Sequence, residues 1–188
     1  NGSSISAVDG GKCIDTSMGF TPLAGVPMGT RSGDIDAAAV EFLCRKKGMN
    51  IHDGLTYLNK KCGMLGISGV SSDYRDLTAA AKEGNYRAQL ALNMFSYACK
   101  KYVGSYMAAL GGLDVIVFTA GVGENTPHIR ASILKDMEFF GIEIDEAKNN
   151  YKNDGAIHEI SKDGSRVKVL VIPTNEELVI ARETAALL

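Results

Sequence analysis

The 188 residues hold 20 Lys and Arg against 22 Asp and Glu, a formal net charge of −2, and 45% are hydrophobic. A chain this near neutrality shows no electrostatic footprint for nucleic acid or a membrane surface, and it has enough apolar residues for a packed core. No apolar run nears the ~20 residues of a membrane span. The N-terminus reads without a signal peptide. Cysteines 13, 44, 62 and 99 lack Cys-x-x-Cys spacing and predict the reduced thiols of a cytoplasmic protein.

The chain starts Asn1-Gly2-Ser3-Ser4 with no initiator methionine, so we read it as a fragment or the C-terminal part of a longer protein. Residues 4–8 and 12–17 flank Asp9-Gly10-Gly11, a hairpin signal. The hydroxyls of Ser6 and Thr16 are assigned to a solvated face. Residues 18–35 hold four glycines and two prolines without sustained periodicity, a loop long enough to suggest function. Arg31 lies near its end. Its side chain suits bidentate contact with carboxylate or phosphate, or else a surface ion pair. Ser32 or Asp34 can cap the helix that follows.

Residues 36–48 predict a helix with an Ala39, Val40, Leu43, Cys44 stripe, and residues 51–62 a second one capped by Asn50. From Met64 to Ser72, glycines and serines predict broken helix. Ser72 or Asp73 caps the next. Asp73-Tyr74-Arg75 sets an acid, a ring and a base side by side. The ring can stack on a purine, or the triplet is a helix start with a solvated ion pair. Residues 77–110 predict a long helix broken near Gly84-Asn85, with Ala91, Phe95, Ala98, Tyr102 and Ala109 on one face.

Val115–Phe118 predicts a strand buried on both faces. Gly121 and Gly123 then make a sharp turn suited to close backbone approach by a ligand, with a plain βα connection as the alternative. Asn125 or Thr126 caps a helix with Pro127 in its first turn and Ile129, Ile133, Leu134 and Met137 inward. The turn is neither the dinucleotide fingerprint nor a Walker loop. Short strands at 139–144 and 156–160 flank a charged helix at 145–153. Residues 166–172 predict a second buried strand. A helix from Glu176 closes the chain, with Leu178, Ala181 and Ala185 inward. Glu176 and Glu177 suit the helix dipole there, or hold a hydrated Mg²⁺. The whole predicts an α/β domain, a mixed sheet flanked by helices.

Gly19-Phe-Thr-Pro-Leu-Ala-Gly-Val-Pro-Met-Gly-Thr-Arg-Ser-Gly-Asp-Ile-Asp closely resembles the signature segment of acetate kinases. Val117-Phe-Thr-Ala-Gly-Val-Gly-Glu-Asn resembles the same family's adenosine-binding motif. Asn1-Gly2-Ser3-Ser4, Ser72-Asp73-Tyr74-Arg75 and Pro173-Thr-Asn-Glu-Glu-Leu match too. The resemblance covers essentially the whole chain. It departs at Ala37, where the family usually has Pro, and at Ala24, where it often has Glu.

The resemblance implies a ribonuclease-H-like fold of the actin, Hsp70 and sugar-kinase superfamily. Residues 1–188 are then the C-terminal nucleotide-binding domain of a two-domain kinase whose N-terminal domain lies outside this chain. It implies reversible transfer between ATP and acetate, giving acetyl phosphate and ADP, with Mg²⁺, in a cytoplasmic homodimer. Propionate or butyrate kinase, or an actin- or Hsp70-like nucleotide switch, are the alternatives. Arg31 is the implied transition-state stabiliser. Asn1, Gly2, Asp73, Tyr74, Arg75 and Gly121, Val122, Gly123, Glu124, Asn125 are implied ATP contacts. Glu176 is the implied metal ligand, with Glu177 the alternative. His52, His128 and His158 match no catalytic position. The fragment alone is expected to be inactive.

Overall fold

The computed structural model describes residues 2–188, so Asn1 and the role expected of it lie outside the described residues. The chain divides into two compact units, Asn1–Gly112 and Leu113–Leu188.

In the first unit, β1 (Ser6–Asp9) and β2 (Lys12–Thr16) pair antiparallel around the predicted Asp-Gly turn, with a register shift at Ala7/Val8. Ser6 donates to Thr16 Oγ1 on the exposed face as expected. The long loop follows. Then come α1 (Ala37–Lys47), α2 (Ile51–Lys60), α3 (Gly63–Ser68), α4 (Tyr74–Lys82) and α5 (Tyr86–Leu110). Side-chain caps set most starts: Asp36, Asn50, Asp73 and Asn85 each accept from a backbone N–H of the first turn. The cap of α1 is thus Asp36, not Ser32 or Asp34.

α5 is the spine of this unit. It packs on α3, α4 and β1, burying Ala88, Ala91, Leu92, Phe95 and Cys99. Each large apolar side chain removed from water here contributes about 1.5–3 kcal/mol. Burial pushes the Cys99 thiol up to about 12. Ala109 of the predicted face is exposed, and the stripe on α1 is at most half-buried.

The helix α3 is a departure from the sequence reading. Its glycines do not prevent it because its first turn is held from outside. Met64 N donates to Met28 O at 2.9 Å, and Leu65 N to Gly29 O at 2.9 Å. Gly63 has φ +58°, and a Cβ there would run into the carbonyl oxygens of Met28 and Arg31.

In the second unit, β3 (Val115–Phe118), β4 (His158–Glu159) and β5 (Lys168–Val171) form a mixed sheet in the order β3-β5-β4. β3 runs parallel to β5, and β4 antiparallel. The helices are α6 (Ala120–Asn125), α7 (Pro127–Leu134), α8 (Glu146–Asn149) and α9 (Glu176–Ala186), with a 3-10 turn at Glu138–Phe140. Isolated bridges at Ile142 and Ile144 stand where a strand was expected. The core gathers Ile129, Ile133, Met137, Ile142, Ile160, Val167, Val169 and Val171.

Two expectations of burial fail here. β3 is an edge strand, with Val115 40% and Val117 47% exposed, because among the described residues only β5 pairs with it. The strand buried by neighbours on both sides is β5. α9 buries none of its residues, and Leu178 and Ile180 are exposed. No helix among the described residues is long and apolar enough to cross a membrane.

Candidate functional site

In the first unit the long loop is tied down at both ends of its Arg31 segment. Thr30 Oγ1 donates to Asn59 O at 2.9 Å and Ser32 N to Leu58 O at 2.9 Å, fixing it to the C-terminal turn of α2. Cys62 N donates to Thr30 O at 3.0 Å, and Met28 N to Arg31 O at 3.0 Å. Asp34 accepts from Gly25 N at 2.8 Å through Oδ1 and from the Tyr102 hydroxyl at 2.5 Å through Oδ2. The loop lacks periodicity yet its Met28–Ser32 segment is fixed, because Met28, Gly29, Thr30 and Ser32 all bond to the end of α2 or the start of α3.

Arg31 is half-buried on this frame. Its Nη1 donates to Pro22 O at 3.3 Å and lies 3.7 Å from Met28 Sδ. No carboxylate among the described residues is within ion-pair range of it, so the surface-ion-pair alternative is not what the fold builds. Gly2 lies beside it: a Cβ on Gly2 would sit 3.2 Å from Arg31 Nη1. The fork therefore keeps donors for an anion.

Asp73, Tyr74 and Arg75 separate in role. Asp73 caps α4 and holds Arg75 bidentately, Nε to Oδ1 at 3.0 Å and Nη2 to Oδ2 at 2.6 Å, on the surface. The hydrogen bonds from Arg75 pull the Asp73 carboxyl down to about 2. Tyr74 corrects an expectation: its ring is a core member, 9% exposed and edge-on to Phe95 at 5.0 Å, and offers no open face for stacking. Burial raises its phenol.

In the second unit the segment after β3 is not a glycine turn but a short helix, α6. Gly121 and Gly123 take ordinary helical φ values, and the left-handed residue at the strand–helix junction is Ala120, φ +58°. Non-glycine backbone in this region costs roughly 1–3 kcal/mol and tends to occur at functional sites. Gly123 serves close approach instead, since its Cβ would meet the Phe118 carbonyl carbon at 3.2 Å. Neither Asn125 nor Thr126 caps α7 through its side chain. Asn125 Nδ2 donates to Gly121 O at 3.0 Å, and Thr126 Oγ1 to Val122 O, both back into α6.

The segments that follow the two parallel strands are fastened together. Glu124 Oε1 accepts from Thr174 N at 3.0 Å and from Thr174 Oγ1 at 3.3 Å. This places α6 against Pro173–Asn175, where α9 begins with Asn175 Oδ1 accepting from Leu178 N. Both lie beyond the carboxyl ends of parallel strands, where open α/β sheets bind ligands.

Glu176 and Glu177 are exposed in the first turn of α9, in no ion pair among the described residues. No group of three or more His, Cys, Asp or Glu stands ready for a metal among the described residues. One or two free carboxylates fit Mg²⁺, which keeps most of its waters and takes few protein ligands.

The sequence reading missed what lies under α6. Arg130 is 1% exposed and has no carboxylate partner among the described residues. Burial lowers its pKa. A basic residue beside Ile129, inside an otherwise apolar stripe, was the available signal. Below it Tyr151 stacks on His158 at 3.9 Å, and His158 pairs with Asp154 at 2.7 Å. His158 is therefore a packed side chain, whereas His52 and His128 lie on the surface.

The family model described as the acetokinase family matches residues 1–182. The acetate kinase of Acetivibrio thermocellus is 59% identical over 187 residues, covering 100% of this chain and 46% of the relative. That of Caldicellulosiruptor saccharolyticus is 57% identical over 188 residues, covering 100% and 47%. Among solved structures, the Porphyromonas gingivalis acetate kinase superposes with TM-score 0.94 at 49% identity, covering 99% of this chain and 46% of that one. A Francisella tularensis propionate kinase gives 0.89 at 43%, covering 97% and 46%. The chain thus spans about half the length of the relatives it matches.

Proposed function

This chain belongs to the acetokinase family and shares the actin, Hsp70 and sugar-kinase fold of its solved relatives, and from that premise we propose that it is the C-terminal, nucleotide-binding half of an ATP-dependent acetate kinase. The observation that carries the reading is Arg31, half-buried beside Gly2 with no carboxylate in ion-pair range among the described residues.

In the reaction a carboxylate oxygen of acetate attacks the γ-phosphorus of ATP. The new P–O bond forms as the bond to the β,γ-bridging oxygen breaks, giving acetyl phosphate and ADP, and the steps reverse. Little covalent work falls to the protein in such transfers; positioning and charge stabilisation dominate. Arg31 stabilises charge on the equatorial phosphoryl oxygens through N–H donors fixed by the loop. Gly2 lies against the phosphates. Gly121, Val122, Gly123, Glu124 and Asn125 take adenine and ribose. The Asp73–Arg75 pair lies around the nucleotide, with Tyr74 acting only through its anchorage in the core. Glu176, or Glu177 beside it, holds Mg²⁺, which supplies charge neutralisation at the phosphates.

The rest of the positioning groups belong to the N-terminal half, so residues 1–188 alone do not turn over. The full-length protein is a cytoplasmic homodimer in this reading. The propionate kinase likeness keeps propionate as a second acceptor. Trapping acyl phosphate with hydroxylamine from the full-length protein, ATP, Mg²⁺ and acetate or propionate tests the reading. Acyl hydroxamate forming with acetate preferred supports it. ATP hydrolysis without acyl phosphate points instead to a nucleotide switch.

A further inference from the structure

We propose that Arg130 is a positioning residue for the nucleotide: it closes the C-terminal end of α6 from beneath and holds that segment in its binding shape. The inference rests on the assignment of Gly121–Asn125 to adenosine.

A helix of six residues leaves its last carbonyls without intrahelical partners. In α6 two of these are Gly123 O and Glu124 O. Arg130 Nη1 donates to both, at 2.7 and 2.9 Å. Its other edge is fixed by Asn149, with Nε to Oδ1 at 2.8 Å and Nη2 to the Asn149 carbonyl at 2.7 Å. Asn149 in turn donates through Nδ2 to Pro127 O at 2.9 Å, which pins the start of α7. The Tyr151 ring lies 5.4 Å from the guanidinium carbon, and its hydroxyl reaches Glu124 O at 3.3 Å.

A cation at 1% exposure is costly to bury, and acidic partners normally offset that cost. Here carbonyl dipoles and an aromatic face do so. A hydrophobic residue would fill the same space at lower cost if the core were the only concern. What the guanidinium does that no apolar side chain can is bridge four acceptors in one plane. Two of them belong to the segment assigned to adenosine, and Ala120 at its other end is in a strained conformation. α6 is too short to keep its shape unaided.

The test uses the full-length protein with Arg130→Lys, which keeps the charge but cannot bridge the four acceptors. The expected result is a tenfold or greater rise in the KM for ATP, with the KM for acetate within twofold. Hydrogen exchange at the amides of residues 120–126 rises, while the amides of β5 stay protected. A loss of folded protein alone would lower kcat and leave both KM values in place. Unchanged ATP KM, or an equal rise in both KM values, overturns the proposal. If Arg130→Lys does not fold, Tyr151→Phe takes its place: a two- to fourfold rise in ATP KM with faster exchange in 120–126 is expected, and no change in either overturns the proposal. Should the wild-type protein form no acyl phosphate, the kinase reading fails. The bracing of α6 is then decided by hydrogen exchange, which needs no substrate.

Discussion

The Tyr102 hydroxyl donates to Asp34 Oδ2 at 2.5 Å across 68 residues of chain. It ties the end of the Arg31 loop to the middle of α5. Asp34 accepts from Gly25 N with its other oxygen, so one carboxylate closes the loop on itself and onto the helix. Tyr102→Phe removes one donor and keeps the ring. It is expected to lower stability by about 1 kcal/mol in urea unfolding, discounted for the solvent exposure of the pair. Desolvation first, then the bond to Asp34, raises the Tyr102 phenol above its ordinary value. A raised folded value means this stability is fully present below the unfolded phenol pKa of about 10 and is lost as the pH rises above it. Tyr102→Phe is therefore expected to flatten the alkaline limb of the stability profile. An unaltered limb would contradict the clasp.

Gly63 and Gly10 separate backbone strain from crowding. Both have positive φ, +58° and +54°, but only a Cβ at Gly63 meets protein. Gly63→Ala is expected to cost at least about 3 kcal/mol and to reduce activity by displacing Met28–Arg31. Gly10→Ala is expected to cost about 1 kcal/mol in the hairpin turn. Equal losses in urea titrations would mean that the packing of α3 on the loop is not what holds Arg31.

Much of the scaffold was legible in the sequence because short-range chemistry fixes it. Asp-Gly made the hairpin, Asn50 and Asp73 capped helices, and Gly84-Asn85 broke the long one. The failures share a different cause. α3 exists because Met28 and Gly29, more than thirty residues earlier, accept from its first turn. β3 reads as apolar and β-branched whether one neighbour or two flank it, so its exposure as an edge could not be read from composition. The apolar stripe of α9 promises burial that no described neighbour provides. Tyr74 looked available for stacking because nothing local reveals that Phe95 lies beneath it. Of the candidate residues, Arg31 in the first unit and the Gly121–Asn125 segment in the second were visible as sequence. The contacts that hold them were not: Asp34 with Tyr102, Arg130 with Asn149 and Glu124 with Thr174 join residues 19 to 68 positions apart.

Glu124 joins the two segments that leave the parallel strands, through the backbone N–H and hydroxyl of Thr174. Glu124→Ala in the full-length protein is expected to raise the KM for ATP about fivefold, the equivalent of ~1 kcal/mol. Thr174→Val, which keeps the N–H donor, is expected to do less. Initial-rate kinetics at varied ATP would show it, and a larger effect from Thr174→Val would contradict the arrangement.

Glu176→Gln removes the carboxylate assigned to Mg²⁺. The Mg²⁺ concentration giving half-maximal rate is expected to rise tenfold or more, with Glu177→Gln changing it less than threefold. The reverse ranking would move the assignment one residue along α9.

The central claim is that the loop holds Arg31 for the transferring phosphoryl group. It is tested most directly by acetyl phosphate formation in the full-length protein, wild type beside Arg31→Ala, at saturating ATP, Mg²⁺ and acetate. The account predicts a loss of at least a hundredfold in rate, as ~2.7 kcal/mol of transition-state stabilisation disappears. Equal rates in the two proteins would contradict it.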